Sequence, residues 1–209
     1  SILMSSCQKK PVQLPLIDIP GISEIQNHSS IWIFMETSNG TVSAVLNKNN
    51  KILNTHWIFN IDRRLPMSEV VPLLIEMQDN RNKDSMHKKE GMKNYFSYAD
   101  TSTKKISLTI FPQTNFMMQE ADQVHELKEP CEVILEIWGD QVKINKELIA
   151  LESLPSALAD ENLCNAQNQP KIILSYEGKT SYQDYLRVKV FLRKNEINHA
   201  AVEYVYTVK

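Results

Sequence analysis

Glycine is scarce in this chain: five residues of 209 are too few for a glycine-rich repeat or a glycine-lined cofactor fold. Apolar runs fall far short of the length that crosses a bilayer. A net charge of -2 gives no electrostatic footprint for nucleic acid. HExxH pairs, Gly-x-Ser-x-Gly elbows and phosphate-binding glycine loops are absent from the sequence. We therefore predict no catalytic residue, no cofactor and no nucleic-acid partner.

Cysteine is also rare. Cys7, Cys131 and Cys164 form no CxxC motif and no Cys/His ligand spacing, so the sequence predicts no metal site. Two states are open for Cys131 and Cys164. They form a disulfide bond if the compartment is oxidising, or they are two buried free thiols, which is the commoner arrangement and the one that we expect.

The bulk composition is that of a globular protein. Apolar residues make up 42% of the chain and charged residues 23%, which argues against wholesale disorder. A chain of this length buries a sizeable core as one domain or as two small ones. The histidines are scattered: His28, His56, His87, His125 and His199. His87 near Glu90 and His125 beside Glu126 are predicted to be solvated side chains and not metal ligands.

The first seven residues allow three interpretations. Ser5 and Ser6 before Cys7 resemble a bacterial lipoprotein cleavage box, in which case Cys7 carries a lipid anchor. Alternatively, residues 2–4 are the outer end of a transmembrane helix that leaves the membrane at Gln8. The third interpretation is a frayed terminus with an incidental cysteine.

Residues 1–30 are predicted to be an extended N-terminal tether that follows one of these anchors. Prolines at positions 11, 15 and 20 prevent a helix from running through the segment. Val12 and Leu14 are apolar enough to dock on the protein, as an edge strand or a strand-like tether.

The first α+β unit is predicted over residues 31–130. Asn39 and Gly40 suit the tight turn of a hairpin between two strands. The helix that begins at Pro66 is expected to stop near Gln78. In order, the predicted elements are strands 31–36, 41–46 and 51–59, helix 66–78, an exposed loop 79–103, strand 104–111, and helix 116–127 with Thr114 as its N-cap.

The second α+β unit is predicted over residues 131–209. Ser181 is expected to cap its long helix, and its last strand alternates, with Val202, Tyr204 and Tyr206 on one face. Its elements are strands 132–138 and 141–145, helix 151–161, strand 171–176, helix 182–195 and strand 200–208. We therefore predict an α+β fold, a two-layer sheet-and-helix sandwich with a weak duplication of a β-β-α-β-α-β unit.

The last third of the chain resembles the periplasmic domain of the ExbD/TolR family. The strand at Pro170–Leu174, the turn at 177–179, Tyr182 in the helix that follows, and a strand after His199 fall in the family's order. The segment 12–15, Val-Gln-Leu-Pro, is similar to the Val-x-Leu-Pro element that these proteins place just outside the membrane. Family members are small membrane-anchored proteins that work beside proton-driven motor subunits.

The resemblance implies a non-catalytic function. It implies a bacterial periplasmic protein, anchored to the membrane at its N-terminus, that dimerises and contacts a partner of the ExbB/TolQ or TonB/TolA type during proton-driven transport. The alternative is a cell-envelope lipoprotein that acts as a binding module. Tyrosine favours interfaces because its ring has a polar tip. The candidate interface residues are Tyr182, Tyr185, Tyr204 and Tyr206.

Overall fold

The computed structural model describes residues 11–47, 52, 54–83, 91–120, 131–144, 146–159 and 170–207. The first half contains β1 (Leu16–Ile17), β2 (His28–Ser38), β3 (Thr41–Leu46), β4 (His56–Ile61), α1 (Met67–Lys83), β5 (Asn94–Asp100) and β6 (Lys105–Phe111). The second half contains β7 (Asn115–Glu120), β8 (Glu132–Trp138), β9 (Gln141–Ile144), β10 (Glu147–Ala150), a 3-10 turn (Leu151–Ser153), α2 (Leu154–Leu158), β11 (Lys171–Glu177), α3 (Tyr182–Lys194) and β12 (His199–Thr207).

The first sheet is built on three parallel strands, β2, β4 and β5. The hairpin partner β3 lies antiparallel beside β2, and β6 lies antiparallel beside the whole of β5. Asn39 and Gly40 have positive φ angles of 50° and 79°, as the predicted tight turn between β2 and β3 requires. Since β6 covers one edge of β5, β1 must share the other edge with β4, where Leu16 pairs with Ala99.

The second sheet has the order β10-β9-β8-β11-β12-β7. Strands β8, β11, β12 and β7 are parallel, and β9 and β10 continue the edge beyond β8 as an antiparallel meander. Helix α3 connects β11 to β12, as α1 connects β4 to β5.

The two sheets contain the same repeat. The strand order β3-β2-β4-β5 in the first matches β9-β8-β11-β12 in the second, and each repeat is a hairpin, a strand, a helix and a parallel strand. The predicted α+β fold with an internal duplication is therefore confirmed. The described part of the first repeat has one helix, whereas α2 gives the second repeat both helices of the predicted unit.

The repeats meet through reciprocal backbone hydrogen bonds at the starts of α1 and α3. The Met67 N–H donates to the carbonyl of Thr180 and the Tyr182 N–H donates to the carbonyl of Leu65, both at 2.8 Å. One residue further along, the N–H groups of residues 68 and 183 donate to the carbonyls of residues 178 and 63, at 2.8 and 3.1 Å. These four hydrogen bonds form two pairs, and within each pair the corresponding donors, and the corresponding acceptors, lie 115 positions apart in the chain. The repeats therefore face each other as subunits do across a twofold axis.

Both helices lie between the sheets in one continuous hydrophobic core. Helix α1 contacts β3 of the first sheet and β12 of the second. Helix α3 contacts β8 of the second sheet, and its Tyr182 and Tyr185 pack edge-on against Phe96 of the first, at ring distances of 5.8 and 6.5 Å. Each repeat consists of a sheet layer and a helix layer, and the helices of both repeats contribute to the one core.

The tether docks on both repeats. Gln13 donates its N–H to Asp62 and accepts a hydrogen bond from the Arg63 N–H at 2.7 Å. Leu16 exchanges two hydrogen bonds of 2.8 Å with the side chain of Gln183 in α3. A strand-like tether is what the prolines predicted.

Asp62 anchors this junction. Its carboxylate receives two hydrogen bonds from the Arg64 guanidinium, at 2.9 and 2.8 Å. Burial disfavours the charged form of Asp62, but the hydrogen bonds from Arg64 and Gln13 outweigh it and lower the pKa of the carboxyl group.

The predicted loop over residues 79–103 is wrong. Helix α1 continues to Lys83, and residues 94–100 form the buried strand β5. Residues 84–90 lie outside the described part. The polar residues of β5 made the segment resemble a loop. They can be buried in a strand because they form internal hydrogen bonds: the Ser97 hydroxyl donates to Asn60 Oδ1 at 2.7 Å, and Asp100 accepts hydrogen bonds from Ser102 and Thr103.

The predicted helix 116–127 is also wrong over residues 116–120, which belong to the strand β7. The parallel pairing from Val202 with Asn115 to Thr207 with Glu120 satisfies the backbone of this segment. Tertiary pairing overrides the helical spacing of its apolar residues. Residues 121–130 lie outside the described part.

Three smaller differences concern element limits. The strand predicted at 51–59 is β4, which begins at His56 and ends at Ile61. The helix predicted at 151–161 is a 3-10 turn followed by the five residues of α2, and residues 160–169 lie outside the described part. Strand β10 was not predicted.

Candidate functional site

Helix α3 carries the first residue of the candidate site on its buried face. Ser181 caps the helix as predicted, because its hydroxyl oxygen accepts the Asp184 N–H at 3.1 Å. Tyr182, Tyr185 and Lys189 follow at helical spacing on the side that faces the core. The Lys189 side chain is only 6% exposed, so an ammonium group is inserted into an otherwise apolar stripe.

Strand β12 carries the second residue, Glu203, which is fully buried. Tyr204 and Tyr206 share one face of the strand with Val202, as the alternation predicted, but that face is only half-buried. Glu203 and Val205 form the opposite face, which points into the core.

These two residues form a buried ion pair. Lys189 Nζ donates to Glu203 Oε1 at 2.6 Å, the Tyr176 hydroxyl donates to Glu203 Oε2 at 3.0 Å, and the Tyr185 hydroxyl lies 3.5 Å from Oε1. Burial and then the charge of Glu203 raise the pKa of both tyrosines well above the ordinary value. Both hydroxyl groups therefore keep their protons and remain donors to the carboxylate.

His199, at the start of β12, completes the cluster. Its Nδ1 lies 2.7 Å from the Ala200 carbonyl oxygen and its Nε2 lies 2.9 Å from Lys189 Nζ. A carbonyl only accepts, so Nδ1 must carry the proton and Nε2 accepts from the ammonium group. Burial, followed by the charge of Lys189, lowers the pKa of His199, so the ring is neutral at pH 7.

The cluster opens into a groove of about 530 Å³ between the end of α3, the start of β12 and the connection from β6 to β7. Lys189, Arg193 and His199 lie on its polar side. Ile110 and Ile197 line the apolar side. A charged group with an apolar neighbourhood in a cleft is the usual composition of a ligand site.

The first repeat shows that the fold does not require these polar residues. Counting by the 115-residue offset, Tyr176, Tyr185 and Lys189 correspond to Ile61, Val70 and Leu74. Glu203 corresponds to Phe96, because Glu203 pairs with Leu174 as Phe96 pairs with Phe59. All four residues in the first repeat are apolar and buried: Ile61, Val70, Leu74 and Phe96.

A buried ion pair is a costly replacement for apolar packing, because desolvation of each ion costs several kcal/mol. The second repeat has this ion pair at positions where the first repeat, with the same architecture, has apolar residues. A buried ion pair beside a cleft, at positions where the first repeat has apolar residues, makes the second repeat the candidate location of a functional site.

Of the tyrosines that the sequence singled out, Tyr185 reaches the cluster, through its hydroxyl group near Glu203. Tyr182 and Tyr185, predicted to form an interface, are 0% exposed and belong to the core of this chain, because the helix face that carries them turns toward both sheets. Tyr204 and Tyr206 are half-buried on β12. Cys7 lies outside the described residues.

The tether residues are in place. Val12 and Leu14 are half-buried and Pro15 is buried. The Pro15 carbonyl accepts the Ala99 N–H at 2.8 Å. The segment therefore lies against β5, with its apolar side chains inward.

The expectation of free thiols is wrong for Cys131, which is disulfide-bonded. The other two cysteines, Cys7 and Cys164, both lie outside the described residues.

The cluster of Lys189, His199 and Glu203 was missed in the sequence. The signal that was present is Lys189 itself, seven residues after Tyr182 on the apolar stripe of a helix, where a charged residue needs a partner. Nothing in the sequence identified Glu203 as that partner, because the opposite face of β12 carries the tyrosines.

In the described ranges, no group of three or more His, Cys, Asp or Glu side chains is arranged to hold a metal ion. None of the helices in the described part of the chain has the length and apolar character that a bilayer crossing needs.

Comparison of the chain with protein-family models, with curated proteins and with solved structures gives no match. The site must therefore be interpreted from its own chemistry.

Proposed function

We propose that this chain is a periplasmic accessory protein of a proton-driven envelope transport system, similar to ExbD/TolR proteins, and that it acts by protein contact. One observation supports this proposal most. Apart from the additional strand β10, the second repeat runs hairpin, helix, strand, helix, strand, from β8 to β12, which is the order that the resemblance implies.

The disulfide bond at Cys131 supports the proposed periplasmic location. Disulfide bonds persist in oxidising environments such as the bacterial periplasm and are rare in the cytosol.

The docked tether supports attachment through the N-terminus. Residues 13–17 are held by hydrogen bonds to both repeats. An anchor upstream of Pro11 would therefore hold the domain in a restricted orientation at the membrane surface, as a subunit beside a membrane motor requires.

The work that we propose is mechanical and not catalytic. The two repeats already form one internal pair through the contact between residues 65–68 and 180–183. Dimerisation of the whole chain, which the resemblance implies, uses a further surface of the protein.

Site-specific photo-crosslinking in the native membrane tests the proposal. A photoreactive residue replaces Trp138 or Leu148, which are 42% and 43% exposed on β8 and β10 of the second repeat. The same residue replaces Ile106, 58% exposed on β6 of the first sheet, as the matched control. We expect a crosslink to an inner-membrane protein of the ExbB/TolQ type or to a TonB/TolA-type partner from the second repeat, and a changed yield when an uncoupler collapses the proton gradient.

Crosslinks that are equal from both sheets, or that do not respond to the uncoupler, would contradict a role in proton-driven transport. Sedimentation of the intact, membrane-extracted protein tests the proposed dimer independently.

A second candidate is a cell-envelope lipoprotein that binds a ligand without catalysis. The groove beside Lys189 favours it, because a recessed charged group suits a small ligand better than a flat partner surface. The mass of the N-terminal peptide of the native protein distinguishes the two. A diacyl or triacyl mass on Cys7 supports the lipoprotein, and an unmodified Cys7 continuous with an apolar helix supports the motor accessory.

A further inference from the structure

We propose that the groove beside Lys189 binds organic carboxylates, and that each carboxylate enters together with one proton, which His199 takes up. The proposal rests on the geometry of the second repeat and does not depend on the transport function proposed above.

Lys189 has a donor to offer to such a ligand. An ammonium group has three N–H donors. One is directed to Glu203 Oε1 at 2.6 Å and one to His199 Nε2 at 2.9 Å, which leaves a third. Lys189 and Arg193 line the groove together with one carboxylate, that of Glu196.

Charge balance explains the proton. Lys189 and Glu203 together are neutral, and His199 is neutral while its Nε2 accepts from Lys189. The other two charges on the lining, Arg193 and Glu196, balance each other. An added carboxylate brings an uncompensated negative charge into a partly desolvated site, which is unfavourable. Protonation of His199 by solvent restores neutrality.

Protonation also supplies a new donor. When Nε2 gains a proton it no longer accepts from Lys189, whose ammonium group now lies 2.9 Å away and must withdraw along its flexible side chain. The Nε2–H can then donate to a ligand oxygen placed between the two groups, while Nδ1 remains bonded to the Ala200 carbonyl. The ammonium donor that Lys189 directed at His199 is freed for the same ligand. A carboxylate with two oxygens matches these two donors.

The charged groups around His199 are consistent with this role. Helix α3 and the turn after it bring Lys189, Arg193 and Glu196 to the groove, and β12 brings Glu203. On the neighbouring strand β11, His199 pairs with Ile172. The charged residue beside Ile172 is Lys171, whose ammonium group forms a 3.1 Å ion pair with the carboxylate of Glu132 on β8. Lys189 is the charged group in direct contact with the imidazole Nε2.

The rest of the groove suits the organic part of the ligand. Ile110, Leu192 and Ile197 line it, and its volume of about 530 Å³ is greater than a carboxyl group alone would fill. The expected ligand is therefore a carboxylate on an apolar body, and a longer chain is expected to bind more tightly than a short one.

The experiment titrates the intact protein with hexanoate, acetate and hexanol. Imidazole signals of His199 are followed by NMR between pH 5.5 and pH 8, a range in which the carboxylates, which titrate at about pH 4 to 5, stay ionised. We expect hexanoate to bind more tightly than acetate, hexanol not to bind, and the pKa of His199 to rise on binding. The His28 and His56 signals serve as internal controls in the same spectra, since neither residue lines the groove.

Affinity should rise as pH falls, by up to about tenfold per pH unit while His199 titrates, because one proton is taken up per ligand. Calorimetry in buffers of different ionisation enthalpy measures that proton directly. His199→Gln should retain weakened binding without proton uptake, and His56→Gln should behave as the native protein.

A double variant separates binding from folding. Lys189→Leu combined with Glu203→Leu places apolar residues where the first repeat has Leu74 and Phe96, so the fold should accept it at the cost of the Tyr176 hydroxyl hydrogen bond. Hexanoate affinity should fall by at least about tenfold with the loss of a charged hydrogen bond. The proposal is overturned if His199 does not respond to hexanoate, if hexanol binds as well as hexanoate, if no proton is taken up, or if the folded double variant binds as the native protein does.

Discussion

Lys189 occupies in α3 the position that Leu74 occupies in α1: each side chain follows the first residue of its helix by seven positions, and both are buried. The helix starts are matched by reciprocal hydrogen bonds, so the correspondence does not depend on sequence similarity. The second repeat thus carries a cation where the first carries a methyl-bearing chain. The partner residues differ in the same sense, Glu203 against Phe96.

Removal of one partner of this ion pair should be severely destabilising. Lys189→Met leaves Glu203 charged and buried, and we expect the free energy of unfolding to fall by about 3–5 kcal/mol, the usual cost of breaking a buried pair. Urea denaturation followed by circular dichroism measures the change.

The control is the double variant Lys189→Leu, Glu203→Leu, which should recover most of that loss because both charges are removed. A double variant less stable than Lys189→Met would show that the pair is required for folding and would contradict the comparison of the repeats.

Stability should depend on pH through His199. Its pKa in the folded protein lies below the unfolded value of about 6.5, so its contribution is fully present above that pH and is lost as pH falls through the folded value. We expect the free energy of unfolding to decrease between pH 7.5 and pH 5, with a slope below about 1.4 kcal/mol per pH unit, the ceiling for one proton.

The same titration on His199→Gln should give a flatter profile over this range. The pKa values of Asp62 and Asp100 are lowered, the latter to about 2, so these carboxyl groups act at lower pH and do not confuse the comparison. An unchanged slope in the variant would contradict the assignment of a neutral His199.

The pairing of Cys131 bears on the membrane anchor. We expect peptide mapping without reduction to link Cys131 to Cys164, which leaves the Cys7 thiol available for lipid. Mass spectrometry of the digest, with and without reductant, identifies the linked peptides. A link from Cys131 to Cys7 would rule out a thioether lipid on Cys7 and remove the lipoprotein candidate.

The docking of the tether should be sensitive to Gly21. A Cβ atom at this position would lie 2.3 Å from the Tyr98 hydroxyl oxygen and 2.7 Å from the Leu108 carbonyl oxygen. Gly21→Ala should therefore destabilise the protein by about 1–3 kcal/mol, the range for an overpacked site. It should also speed hydrogen exchange at the Ile22 N–H, which donates to the Leu108 carbonyl at 2.9 Å.

The matched control is Gly40→Ala. Gly40 has a φ of 79° and no neighbouring atom within 4 Å of the new Cβ, so its cost comes from the backbone conformation alone and should leave exchange at Ile22 unchanged. Equal exchange at Ile22 in the two variants would show that the tether is not held by this close contact.

The sequence was sufficient to predict most elements of the second repeat, although β10 was missed and residues 151–153, predicted as helix, form a 3-10 turn. The Gly139 turn, the Ser181 cap and the helix to Lys194 follow from local rules, because turn residues, caps and helical spacing are encoded within a few residues of where they act. The predicted ends of α3 and of the strands on either side of it lie within two residues of the observed ends.

Local rules failed where distant partners decide the structure. Residues 115–120 have apolar spacing that fits a helix, but their backbone pairs with β12, more than eighty residues away. Ser97 makes β5 look like a loop until its hydrogen bond to Asn60 is known. Glu203 likewise can be recognised as a buried ion-pair partner only when its contact with Lys189 is known, and no local sequence pattern predicts that contact.

The covalent joining of the two repeats has a consequence for how such a molecule can change. In a symmetric homodimer every substitution is present twice, so a lysine introduced into one helix also appears in the other, and the shared core must accommodate both. Here the halves that meet at residues 65–68 and 180–183 are encoded separately. One half can keep apolar residues at the four positions that match the ion-pair cluster, while the other is free to carry charged and polar residues there.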